Sequence, residues 1–149
     1  MHRVLFICHG NICRSPMAEF VMKDLVRKAE LAEEFSIASA ATSTEEIGNP
    51  IYPPARRKLA EHGIVCAGKT ARQLRREDYD RFDLLIGMDG ANLRNMRRIC
   101  GEDILGKMSL LMEHAGIRRD VADPWYTDDF ETTWQDVLMG CQALLEKLK

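Results

Sequence analysis

The stretch "VLFICHGNICRSPMAE" near the N-terminus constrains the fold more than any other part of the chain. Val4 to Ile7 is an uninterrupted apolar run that reads as a central strand and ends at Cys8. After a short polar turn, Ser15-Pro16 reads as a helix cap with an N1 proline, and Met17, Val21, Met22 and Leu25 then recur at helical spacing. A buried strand that turns sharply into a helix aims several backbone N–H groups at one point beyond the sheet, with the positive end of the helix dipole behind them. Such a point suits an anion.

Five residues separate Cys8 from Arg14, enough to curl the backbone around one tetrahedral oxyanion, with Gly10 expected to take the positive φ this requires. Arg14 closes the ring with a bidentate fork. Cys8 sits at the bottom, where the same N–H groups favour a thiolate, so the group that binds an anion also makes a nucleophile. The plainer readings, a small core cysteine and a surface arginine, explain each residue alone but not the pair. Metal ligation fits poorly: Pro16 stands where a third ligand of a C-x4-C series belongs, and no later C-x2-C follows. No metal or cofactor is called for.

The rest of the chain supplies the sheet. In 149 residues, enough for one domain, strand and helix patterns alternate without repeat or linker, which predicts α/β with a mainly parallel sheet. Further strands are expected over Phe35 to Ser39, Asp83 to Met88 and "KMSLLM", with helices over "PPARRKLAEHG" and from about Ala91 to Ile99. The C-terminal helix is the plainest, with Asp128 and Glu131 as a capping box and an apolar stripe from Phe130 through Trp134, Val137 and Cys141 to Leu148.

Composition excludes broad function classes. With 21 Lys plus Arg against 23 Asp plus Glu, the chain lacks the basic field of a nucleic-acid binder, so anions must be met locally. No apolar run approaches the ~20 residues that span a bilayer, and Met1 to Ile7 reads as too short and too quickly interrupted for a signal peptide. The expectation is a cytoplasmic protein with no nucleic-acid or membrane partner. Five cysteines, an odd number, then read as reduced thiols.

A second motif competes. "GIVCAGKT", Gly63 to Thr70, matches G-x4-G-K-[ST] at every fixed position, and "LLIGMD" ending at Asp89 passes for a metal-binding strand end. A phosphate-binding loop of that kind follows a buried strand, however, whereas Gly63 follows the charged, helix-like "RRKLAEH". Gly63 therefore reads as a helix C-cap, and nucleotide binding as the lesser alternative.

Together "CHGNICRSPMAE", "SAATS" with "EIGNP", "ARQLRREDYDRFD", "MDGANL" and "DPWYTDDFETTW" resemble the low-molecular-weight protein tyrosine phosphatases, in order and over nearly the whole chain. The resemblance implies a single domain over residues 1–149 with a flavodoxin-like, four-stranded parallel sheet flanked by helices on both faces. It implies a metal-independent phosphomonoester hydrolase with Cys8 as nucleophile and Arg14 clamping the phosphoryl oxygens. The backbone from His9 to Ser15, through Gly10, Asn11, Ile12 and Cys13, would form the cradle. Asn11 would shape the loop through Ser39, Ser15 would support the thiolate, and Asp123 would be the general acid and then base. His9, Glu45, Trp125 and Tyr126 would wall the site, and departures from the family at His9, Glu45 and Lys69 bear on substrate choice. The expected partner is a phosphotyrosine protein or small aryl phosphate, with inorganic phosphate and vanadate as inhibitors.

Two alternatives remain beside it. An arsenate reductase of the same fold needs two further cysteines near the third strand, where "LLIGMDGANLRNM" has none and Cys100 comes too late. A non-catalytic phosphate-binding module would keep the cradle without needing Asp123. Cys13 has no part in the catalytic cycle, yet it shares a short loop with Cys8, and a disulfide between them would protect an oxidised nucleophile.

Overall fold

The computed structural model describes residues 1–149. Four strands form one wholly parallel sheet in the order β2-β1-β3-β4: β1 His2–Cys8, β2 Phe35–Ala41, β3 Leu84–Gly87 and β4 Met108–Leu110. β1 lies inside the sheet, with Val4 paired to Ile37 on one side and Leu84 on the other. Its run is apolar throughout because both faces are covered. Val4, Phe6 and Cys8 belong to the larger core cluster, while Leu5 and Ile7 belong to the smaller one.

The helices divide between these faces. α1 (Arg14–Lys28) carries the chain from β1 towards β2 and buries Met17, Ala18, Val21 and Met22 in the larger core. α2 (Pro53–Glu61) adds Ala55 and Leu59 there, and a short α3 (Asp78–Arg81) precedes β3. α4 (Gly90–Cys100) joins β3 to β4 across the opposite face, where Met96 and Cys100 are buried with Leu5, Ile7 and Leu85. β1 and β3 are thus adjacent strands whose following helices depart to opposite sides. That divergence opens a crevice at their carboxyl ends, the usual ligand position in an open α/β sheet.

Two short helices, α5 (Leu111–His114) and α6 (Pro124–Thr127), lead to α7 (Phe130–Leu148), whose apolar stripe packs on the α1 side of the sheet. The expected strands and long helices are all present, with altered ends. β4 is shorter than "KMSLLM" because Leu111 and Met112 turn into α5. α7 is capped by Asp129, which accepts from the Thr132 N–H, and not by Asp128, which adopts φ 58° at the end of α6. The capping box lies instead at α4, between Asp89 and Asn92.

Candidate active site

The turn after β1 differs from expectation in its local devices. α1 begins at Arg14, so Pro16 stands in its first turn rather than at N1, and the N-cap residue Cys13 makes no side-chain cap. Ser15 does not cap the helix because its hydroxyl is engaged beneath the loop. The positive φ falls on Asn11, at 59°, and not on Gly10. At Gly10 a Cβ would make only ordinary contact with the Glu46 side chain, at 3.4 Å.

Asn11 holds this unfavourable conformation because its backbone N–H and both ends of its side-chain amide are hydrogen-bonded. Its N–H donates to Cys8 Sγ at 3.3 Å. Its side-chain amide donates to Ser15 Oγ at 2.8 Å and Ser39 Oγ at 2.9 Å, and its Oδ1 accepts from the Arg72 N–H at 3.2 Å. Ser39 in turn donates to buried Glu19. With its oxygen accepting from Asn11, the Ser15 hydroxyl has its proton free for Cys8 Sγ, 3.0 Å away. The sulfur is thus met by the Ser15 hydroxyl and the Asn11 N–H.

Arg14 is nearly enclosed, its side chain 3% exposed. Nη1 donates at 2.8 Å to both Asp89 Oδ2 and the Val121 carbonyl oxygen, and Nη2 lies 3.5 Å from Asp123 Oδ2. Burial works against the guanidinium charge. The Cys8 thiolate, the Asp89 hydrogen bond and the Asp123 charge more than offset it, raising the Arg14 pKa above its ordinary value. Both Asp89 oxygens are occupied, one by Arg14 and one by the Asn92 N–H, so the N-cap of α4 fixes the arginine. Asp123 is the N-cap of α6, where its Oδ1 accepts from the Trp125 N–H at 3.0 Å while its other oxygen faces Arg14.

These groups surround a cavity of about 120 Å³ with Cys8, Cys13 and Arg14 among its lining and Asp123, Trp125 and Tyr126 on one wall. His9 and Glu45, hydrogen-bonded to each other at 3.1 Å, and Glu46 also line it. The proposed loop and wall residues are therefore brought together, with Asn11, Ser15 and Ser39 forming the layer beneath. Sequence reading missed Asp89 and Glu19 as supports of the loop, and Glu46 as a lining residue. Asp89 was legible in principle, as an aspartate at the end of an apolar strand within "MDGANL". Gly63, at φ 75°, ends α2 as expected, and Lys69 turns to the Ser39 carbonyl rather than into a phosphate loop.

A parallel sheet whose switch point carries a cysteine in an arginine-bearing loop, faced by a carboxylate, has the parts of an anion site. Residues 3–149 match the family model described as low molecular weight phosphotyrosine protein phosphatase. The chain belongs to that family. It is 37% identical to the low molecular weight protein-tyrosine-phosphatase YfkJ of Bacillus subtilis, across 100% of this chain and 97% of that protein. It is 40% identical to the low molecular weight phosphotyrosine protein phosphatase of Gallus gallus, across 97% of this chain and 94% of the other. The crystal structure of YfkJ superposes with a TM-score of 0.96 over 99% of this chain and 94% of that one.

Proposed function

We propose that this phosphatase hydrolyses phosphotyrosine, in proteins or as small aryl phosphates, through a phosphocysteine on Cys8. The Cys8 thiolate attacks phosphorus in line with the ester oxygen, and the loop N–H groups and Arg14 hold the three equatorial oxygens. As the P–O bond breaks, Asp123 delivers its proton to the leaving phenolate oxygen. Water then attacks the phosphocysteine, Asp123 takes the water's proton, and the S–P bond breaks to release phosphate and restore the thiolate. Asp89 and Val121 fix the Arg14 guanidinium, so little reorganisation is required when phosphate arrives. Trp125 and Tyr126 flank the opening and suit an aryl group.

The observation that carries this reading is the Cys8 sulfur on the cavity wall, with the Ser15 hydroxyl at 3.0 Å and the Asn11 N–H at 3.3 Å. The test is turnover of p-nitrophenyl phosphate with and without vanadate and EDTA. Hydrolysis that vanadate blocks and EDTA leaves intact supports the reading. Arsenate reduction or ATP hydrolysis in place of ester cleavage overturns it.

A further inference from the structure

The floor of the cavity is built for a dianion, yet its mouth carries the opposite sign from the usual anion funnel. Glu45 and Glu46 stand among the lining residues, and Arg14 is the one Lys or Arg among them. Arg14 is buried and engaged by Asp89, so it adds no cation to the rim. The rim therefore opposes a phosphorylated ligand that brings further negative charge and favours one that brings positive charge.

Glu45 is a positioned group and not a loose surface acid. His9 Nε2 bonds its carboxylate at 3.1 Å, joining the loop after β1 to the segment after β2. The same two segments are tied again where the Ser43 N–H and hydroxyl donate to the His9 carbonyl oxygen at 3.0 Å and 2.8 Å. Even so, the Glu45 side chain remains 68% exposed, open to a group arriving with the substrate. A second feature selects the same chemistry: Trp125 and Tyr126, 52% and 83% exposed, present aromatic faces beside the mouth. Tyr52 packs against the Trp125 ring at 4.9 Å and steadies it. Carboxylates and exposed aromatic faces both attract guanidinium and ammonium groups.

We infer that Glu45, held by His9, makes this enzyme select phosphotyrosine flanked by lysine or arginine. The inference rests on the phosphatase reading of the same site. The interaction is made alike in the ground and transition states, so the preference falls mainly on KM.

The experiment compares phosphotyrosine peptides of one length carrying either Arg and Lys or Glu beside the phosphotyrosine. Values of kcat/KM are measured for the parent, Glu45→Gln and Glu45→Lys, with p-nitrophenyl phosphate run in parallel. In the parent the basic peptides lead by about tenfold at low salt, a margin that shrinks towards unity at high ionic strength. The basic-to-acidic ratio falls about threefold in Glu45→Gln and inverts in Glu45→Lys. Equal kcat/KM for both peptide sets in a parent that hydrolyses p-nitrophenyl phosphate overturns the inference alone, as does an unchanged ratio in Glu45→Lys. A parent that hydrolyses neither ester nor peptide overturns the phosphatase reading as well.

Discussion

Lys69 donates to the carbonyl oxygen of Ser39 at 3.0 Å, within the hydrogen-bonded layer that supports the Cys8 loop. The same ammonium lies 3.6 Å from the Glu19 carboxylate, which also accepts from Ser39 and pairs with Lys23 at 2.6 Å. The lysine of the nucleotide-like motif thus serves as a structural cation. Burial lowers its pKa below the ordinary lysine value, with Glu19 pulling the other way. Because Glu19 keeps Lys23 and Ser39 when Lys69 is removed, Lys69→Ala is expected to cost only about 1 kcal/mol. Its kcat/KM should stay within about fivefold of the parent. Glu19→Ala leaves a largely buried ammonium without its counter-charge and should cost more, about 2 to 4 kcal/mol. Urea denaturation of both variants checks the order. Titration of the parent with Mg-ATP should give no binding heat, and tight binding would restore the nucleotide reading.

Cys8→Ser is expected to abolish turnover while vanadate and phosphate binding remain measurable. The serine hydroxyl is a far weaker nucleophile, but the loop N–H groups and the Asp89-held Arg14 are untouched. Fluorescence titration with vanadate, set beside p-nitrophenyl phosphate turnover, separates the two effects. Appreciable turnover by this variant excludes Cys8 as the nucleophile.

Asp123→Ala should slow hydrolysis of phenyl phosphate by about 10²-fold to 10⁴-fold, and less for esters whose leaving group is already a weak base. Two structural duties complicate the carboxylate, since it caps α6 and faces Arg14. Asp123→Asn keeps a side-chain oxygen for the Trp125 N–H but cannot donate a carboxyl proton, so it should share the leaving-group dependence. A uniform loss across all leaving groups in both variants assigns Asp123 to structure alone.

The elements that hold the site were readable where one physical signal dominated. β1 and α7 were plain because a doubly buried strand and an amphipathic helix leave long, regular apolar patterns. The cap of α7 was misplaced by one residue because Asp128 and Asp129 are both capable acceptors; only the turn ending α6 decides between them. Intrinsic preference points to Gly10 for the positive φ. Asn11 took it because four hydrogen bonds over-determine its conformation, from partners as distant in sequence as Ser39 and Arg72. Supports such as Asp89 and Glu19 act across the fold, through contacts that no local window contains.

Gly140 in α7 is set by the close approach of α5. A Cβ there would fall 2.5 Å from Leu111 Cγ and 2.8 Å from its Cδ1, and Leu111 is fully buried. Overpacking costs about 1 to 3 kcal/mol, against a gain of about 1 kcal/mol when alanine replaces a helical glycine. Gly140→Ala should therefore lower the denaturation midpoint, and leave the enzyme active below it. A rise in the midpoint would mean that α5 moves aside freely.

A redox switch through Cys13 is the last expectation to test. It is a buried thiol lining the same cavity as Cys8, the proposed nucleophile. Peroxide converts the Cys8 thiolate to a sulfenic acid with loss of hydroxide. The Cys13 thiolate then attacks that sulfur, forming the S–S bond and breaking the S–O bond to release hydroxide, which closes a disulfide before further oxidation. Burial, chiefly, raises the Cys13 pKa well above the ordinary cysteine value, and that cause persists once Cys8 is oxidised. At working pH the attacking thiolate is therefore scarce. Its fraction rises about tenfold for each pH unit below that raised pKa, so closure should accelerate as pH rises from 6 to 8. Quenched mass spectrometry after a brief peroxide pulse measures the disulfide directly. The parent should recover activity fully with dithiothreitol, phosphate should protect by occupying the loop, and Cys13→Ser should pass irreversibly to the sulfinic acid. If Cys13→Ser recovers as fully as the parent, Cys13 is a packing residue and the switch does not operate.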